Sequence, residues 1–411
     1  MQSLLVLGRQ PEISLAELSS LYGLENIAAF TKDVALMDID PCVLNFDRLG
    51  GSRKFAKVLV KLDQQSFESI SDYLINVAPL KAKELPSGKL ILGLSAYGFS
   101  SGVNRKKLLS LGLKIKKTLK LENRSVRFVP PEDTEISTAQ VIHNKLTGQK
   151  AWDLIIAKIN DDIVIAQTIK VQDIEAYGKR DQKRPGRDTK AGMLPPKLAQ
   201  IIINLAAGRI PAENLPNVCD DVDYKPKKLN ARVLDPFCGS GVILQEALMM
   251  GYDVTGSDIN HRMIELSKQN MEWLRPKLKI NDLTTSLSVG DATTYQWESP
   301  FNFVASEIDL GEALISSPDK EKIASLATKA NALLEKFLTN IKDQTKPGFR
   351  LCLAIPSWEY KGKMISLPLI DHLDSIGYNQ LDFQGFSSSG PLIYHRAGQR
   401  VGRQLLILSR K

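Results

Sequence analysis

One stretch of nine residues, Val233-Leu234-Asp235-Pro236-Phe237-Cys238-Gly239-Ser240-Gly241, restricts the fold of this 411-residue chain more than any other. Residues 231–234 form a short apolar run suited to a buried strand, and the run ends on an acid. Two closely spaced glycines follow, where the backbone can turn tightly and approach a ligand that a Cβ would hold off. Residues 242–250 then read as a helix. Strand, turn and helix in this order open a doubly wound sheet, whose ligands sit beyond the carboxyl ends of the strands. A second strand over 252–256 leads to Ser257-Asp258. Asp258 stands about 20 residues past the turn, the distance at which an acid holds ribose hydroxyls.

Two cofactor classes compete for such a turn. A dinucleotide fingerprint needs a third glycine three residues after Gly241, for helix packing and pyrophosphate binding. That position is Leu244, and Asp235 puts a carboxylate where a pyrophosphate would be repelled. S-adenosylmethionine (SAM) suits both facts, because its amino-acid end carries an ammonium and it has no phosphate. A turn that binds nothing is the third possibility. Asp-Pro-Phe-Cys-Gly-Ser-Gly at 235–241 resembles the cofactor motif of SAM-dependent methyltransferases, especially those that methylate exocyclic amines of nucleic-acid bases. The resemblance implies a pocket made by Asp235, Phe237, Cys238, Gly239, Gly241, Asp258, Ile259, Asp291 and Ala292. Residues 192–199 are similar to a segment that closes the pocket in that family, which adds Gly192 and Met193. Asp291 ends a strand on the same rim and reads equally as an adenine contact or an ordinary helix N-cap.

Charge is distributed unevenly. Residues 51–190 hold 26 Lys and Arg against 15 Asp and Glu, whereas residues 191–411 hold 25 against 24. A basic zone beside a nearly neutral half is what a polyanion-binding module provides. A helix predicted over 104–121 puts Leu108, Leu111, Ile115 and Leu119 on one face. Its other face carries Arg105, Lys106, Lys107, Lys114, Lys116, Lys117 and Lys120. Such a run is either a solvated face or a phosphate contact. Lys179, Arg180, Lys183, Arg184 and Arg187 crowd a second short stretch, read either as a flexible linker or as another phosphate contact.

Upstream, the pattern over 1–63 gives the order βαββαβ of a small ferredoxin-like unit. Ser14, with Glu17 three residues on, is placed to cap the first helix. Residues 7–18 and 49–52 resemble the opening of the tRNA guanosine-10 N2-methyltransferases. Residues 64–172 are similar to a THUMP domain, an RNA-binding module that accompanies several tRNA-modifying enzymes. The expected fold class is therefore α/β: a Rossmann-like domain over 191–411, preceded by α+β ferredoxin-like and THUMP-like units and a basic linker over 173–190. Four scattered cysteines without metal or redox spacing read as unpaired thiols. No apolar run reaches the roughly 18 residues of a membrane span, so the expected setting is cytoplasmic, with no membrane partner.

The segment after the fourth strand, 303–305, performs the chemistry in the resembled amine methyltransferases. The family carries an Asp or Asn, two prolines and an aromatic there. A carboxylate or amide oxygen and a backbone carbonyl accept hydrogen bonds from the target amine, freeing a lone pair otherwise delocalised into the ring. This chain has Ser306-Glu307-Ile308-Asp309-Leu310-Gly311. Glu307 and Asp309 are the catalytic candidates, and both prolines and the stacking aromatic are missing. The resemblance implies SAM as cofactor, tRNA as partner and the N2 amine of a guanosine as target, with room for a small activating protein subunit. Two alternatives stand beside it: a catalytically weak or inactive tRNA-binding relative, and a NAD-dependent dehydrogenase. The latter conflicts with Leu244 and with the basic middle segment.

Overall fold

The computed structural model describes residues 1–411 except 64–65, 100, 188–192, 212–213, 216–226, 279, 281, 299, 313, 315, 384–389 and 397. The N-terminal part runs β1 Ser3–Leu7, α1 Pro11–Tyr22, β2 Ile27–Phe30, β3 Val34–Met37, β4 Ser52–Leu62, α2 Phe67–Ala82, β5 Leu90–Tyr97 and α3 Arg105–Leu121. It continues through β6 Val126–Val129, α4 Thr138–His143, β7 Ala151–Ile159, β8 Asp162–Val171 and α5 Ile174–Gln182. The C-terminal part runs α6 Pro196–Ala207, β9 Arg232–Asp235, α7 Val242–Met249, β10 Asp253–Asp258, α8 His261–Leu274, β11 Thr285–Val289, β12 Phe303–Glu307 and α9 Lys320–Asp343. It ends with β13 Arg350–Tyr360, β14 Lys363–Ile365, β15 Tyr378–Gln380, β16 Ile393–Tyr394 and β17 Val401–Arg410.

The N-terminal strands form one sheet in the order β2-β3-β1-β4-β8-β7-β5-β6. The ferredoxin-like and THUMP-like stretches therefore share a continuous sheet, joined where the long β4 pairs β1 on one side and β8 on the other. Leu108, Leu111, Ile115 and Leu119 of α3 are buried in its core, as their spacing predicts.

The second sheet has the order β11-β10-β9-β12-β13-β17-β15, with β9 to β13 parallel and β17 antiparallel. The chain leaves β9 in one direction through β10 and β11, then returns to place β12 on the other side. That reversal between β9 and β12 opens a crevice at their carboxyl ends. Asp235 ends β9 and Glu307 ends β12, so the topology brings these two carboxylates to the same rim. The third glycine missing at 244 has a counterpart on the strand. A Cβ on Gly256 would lie 2.5 Å from Leu244 Cδ1, so Gly256 makes the room in which α7 packs against β10.

Apolar nearly all round, α6 is buried against α1, α7 and the second sheet. Around it the structure corrects the expected cap. The first helix begins at Pro11, and Ser14 and Glu17 are buried inside it. Ser14 Oγ donates to the Gly51 carbonyl (2.7 Å). Glu17 accepts from the Gly50 and Gly51 N–H groups (2.9 and 2.8 Å) and from Asn204 Nδ2 of α6 (2.7 Å). Burial pushes its carboxyl up to about 7. A glycine turn that must be held against two helices has recruited the residues that sequence spacing gave to the helix end.

A short 3₁₀ turn, Pro368–His372, follows β14, and Trp358 of β13 is fully buried. Cys238 and Cys352 are buried free thiols, but Cys42 is disulfide-bonded, against the expectation of unpaired thiols throughout.

Candidate functional site

At the carboxyl ends of β9 and β12 lies a cavity of about 120 Å³, lined by residues that include Arg184, Met193, Asp235, Phe237, Cys238, Gly239, Ser240 and Glu307. Its floor is the turn between β9 and α7. Gly239 and Gly241 both adopt positive φ (49° and 82°), which L side chains rarely adopt. A Cβ on Gly241 would lie 2.4 Å from Ser267 Oγ, so α8 crowds that side. A Cβ on Gly239 would meet nothing within 4 Å, so the turn presents open space there.

Asp235 is buried, with Oδ1 accepting from Ser306 Oγ (2.5 Å) and from the Phe237 N–H (3.3 Å). Burial pushes its carboxyl up to about 7, with the Asp258 and Glu307 charges adding to the rise. An anion held at such a cost lowers its energy by gaining a cation. Asp258 accepts from the Gly239 N–H (2.9 Å) and the Asn260 N–H (2.8 Å), which ties the end of β10 to the turn. Burial raises its carboxyl too, and Asp309 contributes.

The other expected cofactor residues distribute along the rim. Phe237 lies edge-on to Phe337 with centroids 5.2 Å apart. Cys238 is a buried thiol pushed well above its ordinary range, and its N–H donates to the Ser257 carbonyl. Ile259 is 71 % exposed, a bare apolar side chain at the end of β10. Asp291 is exposed and Ala292 is buried. Asp291 also receives the Thr293 N–H and hydroxyl (2.9 and 2.8 Å), which hold its carboxyl below the usual range. Asp291 thus closes a turn and caps no helix, since none is found between β11 and β12 among the described residues, and its Oδ2 has no partner among the described residues. Gly192 lies outside the described residues.

Glu307 reaches the cavity, whereas Asp309 is exposed and accepts the Gly311 N–H within its own turn (3.0 Å). Among the described residues only Glu307 of the two catalytic candidates lines the cavity. Its Oε1 is paired with Nε of Arg403, a buried residue of β17. Burial raises the Glu307 carboxyl and the Arg403 charge pulls it back. Sequence reasoning missed Arg403. Its one signal is a cation just ahead of the apolar run 405–408 of the terminal strand, where a buried arginine needs an anion.

The cationic residues fall into two groups. On α3, Arg105, Lys106, Lys114, Lys117 and Lys120 are exposed, and Lys116 is partly so. Lys107 pairs with Glu68 (3.0 Å), and Arg105 Nε donates to the Pro131 carbonyl (3.0 Å). The stretch expected as a loose basic linker is a docked helix, α5. Its Arg180 is buried and donates through both Nε (2.6 Å) and Nη2 (3.2 Å) to Glu246 of α7. Arg184 is buried as well, while Lys179, Lys183 and Arg187 stay exposed. Arg180, on α5, and Arg184, two residues past its end, are both buried and are therefore removed from the set of surface phosphate contacts.

Residues 227–374 match a family model described as a methyltransferase domain. The chain is 28 % identical over 238 residues to the tRNA (guanine(10)-N2)-dimethyltransferase of Methanothermobacter thermautotrophicus, a match covering 57 % of each chain. It therefore spans just over half the length of that relative. It is 23 % identical over 333 residues to the enzyme of the same name from Pyrococcus abyssi, covering 79 % of this chain and 83 % of the relative. The crystal structure of TrmN from Thermus thermophilus superposes over the full length of both chains with a TM-score of 0.49 and 15 % identity.

Proposed function

We propose that this chain, whose C-terminal part is a methyltransferase domain, transfers a methyl group from SAM to the exocyclic N2 amine of a guanosine in tRNA. The observation that carries the reading is a pair of carboxylates, the buried Asp235 and the half-buried Glu307, facing one cavity at the reversal of the sheet. The names of the relatives supply the substrate class.

The residues present fit the cofactor. Asp235 is a buried anion with Oδ2 unpartnered among the described residues, suited to an ammonium. Gly239 leaves open space where a Cβ would project, and Asp258 lies beside it for ribose hydroxyls. Ile259 offers bare apolar surface beyond. When bound, SAM supplies an electrophilic methyl group. A cavity of about 120 Å³ is smaller than the roughly 300–1,000 Å³ of whole-ligand pockets, so it receives the amino-acid end while the nucleoside lies along the open rim.

Glu307 supplies the acceptor. Its Oε2 is free of protein partners among the described residues, and Arg403 on Oε1 partly offsets the rise that burial imposes on the carboxyl. An ionised oxygen accepting an N–H of the guanine amine draws electron density onto nitrogen as the new bond forms. The base reaches such a buried group only when flipped out of its stack. The exposed cations of α3 lie in the THUMP-like part and give the tRNA phosphates a surface to dock on. The same Arg403 pairing favours a second reading, in which Glu307 is fully committed to Arg403 and the fold binds tRNA without transferring a methyl group.

Incubation of the full chain with methyl-tritiated SAM and tRNA from its own host separates the two. Acid-precipitable label in N2-methylated guanosine is the expected result. SAM and tRNA binding without label transfer would establish the second reading.

A further inference from the structure

Arg184 is 2 % exposed, and its Nε and Nη2 atoms have no hydrogen-bond partner among the described residues. It lines the cavity together with Asp235, Gly239 and Glu307. Each buried N–H left unpaired costs about 1–3 kcal/mol, so such a group calls for an explanation. The nearby anions do not provide one. Asp181 and Glu246 act on Arg184 only through their charge, neither accepting from Nε or Nη2. Glu246 already takes both donors of Arg180, and Glu307 is paired with Arg403.

The backbone that delivers Arg184 is fixed. Gly186 N–H donates to Asn270 Oδ1 (2.8 Å), and Asn270 Nδ2 donates to the carbonyls of Gly186 and Ser240 (2.8 Å each). A Cβ on Gly186 would lie 2.6 Å from the Leu266 carbonyl oxygen. One asparagine of α8 thus staples the 184–186 segment to the turn between β9 and α7. On a guanidinium, Nε–H and Nη2–H point the same way and form one of its two-donor edges. That edge matches the two oxygens of a carboxylate.

We infer that Arg184 holds the carboxylate of the amino-acid end of SAM, while Asp235 holds its ammonium. A zwitterion carries its two charges a few bonds apart, so a pocket selective for it needs an anion and a cation in the same small cavity. Asp235 and Arg184 are that pair. The inference rests on the SAM reading and makes the loosely cationic 179–187 segment part of the cofactor pocket.

The test uses the full chain in isothermal titration with S-adenosylhomocysteine and with 5′-methylthioadenosine. The second ligand keeps the nucleoside and thioether but lacks the amino-acid end. In Arg184→Met the affinity for S-adenosylhomocysteine should fall roughly ten- to a hundredfold, the worth of a charge-assisted pair. Methylthioadenosine affinity should stay at the wild-type level, which also reports an intact fold. Arg184→Lys should fall between. Parallel loss of both ligands, or no loss of S-adenosylhomocysteine, overturns the inference. Loss of tRNA affinity with S-adenosylhomocysteine binding intact also overturns it, in favour of an RNA phosphate. A wild type that binds neither nucleoside overturns the SAM reading itself and this inference with it.

Discussion

Glu307 and Arg403 set how the chemistry would run. The ionised carboxylate accepts an amine N–H far more strongly than the protonated acid, and burial alone drives the Glu307 carboxyl above its usual range. Activity should therefore fall as pH drops through that pKa, because protonation weakens the acceptor. Arg403 pulls the pKa down, so Arg403→Met should move the acid limb of the single-turnover pH–rate profile to higher pH. An unmoved acid limb would show that the pair has no part in catalysis. Glu307→Ala should lower the single-turnover rate by about 10²–10³, the cost of losing one such acceptor, with SAM and tRNA affinities unchanged. At this scale the sequence was legible where chemistry is local. Asp235, Gly239, Gly241 and Asp258 sit within one strand-turn-helix-strand unit whose spacing fixes their positions. Arg184 and Arg403 were not legible, because Arg184 lies beside the turn between β9 and α7 and Arg403 beside β13, both far away in sequence. A cation in a polar stretch is ordinarily solvated, and nothing near Arg184 in sequence says otherwise.

Among the elements, α3 carries the clearest division of labour. Its buried leucines fix it to the N-terminal sheet, which leaves Lys114, Lys117 and Lys120 facing solvent and Lys116 partly so. Among the described residues none of these four lysines pairs with a carboxylate, so their charge is available to phosphate. Replacing Lys114, Lys116, Lys117 and Lys120 by Gln should weaken tRNA binding. It should also flatten the plot of log affinity against log salt by roughly 0.7–0.9 per lost phosphate contact. Melting temperature should hold, since no core contact is touched. An unchanged slope would mean that α3 is only a solvated face. Periodicity found this helix because one strong amphipathic pattern covers it. It misplaced the role of Ser14 and Glu17, because their partners, the Gly50–Gly51 turn and Asn204, come from other elements.

Across the whole molecule, a basic N-terminal sheet is joined to a nearly neutral catalytic sheet through α6, and α5 docks the connection onto α7. Under the proposed function a substrate at the cavity would satisfy both halves, with phosphates on the first and an exocyclic amine at the second. The division into a basic and a neutral half was visible in the charge distribution. The continuity of the N-terminal sheet was not, because the pairing of β4 with β8 bridges more than a hundred residues. The central claim is methylation of guanosine N2 in tRNA. Its most direct test is mass-spectrometric profiling of tRNA nucleosides from cells with and without this protein. The expected result is loss of N2-methylated guanosine from defined tRNA positions, restored by the wild type and not by Glu307→Ala. Identical nucleoside profiles in the two strains would contradict it.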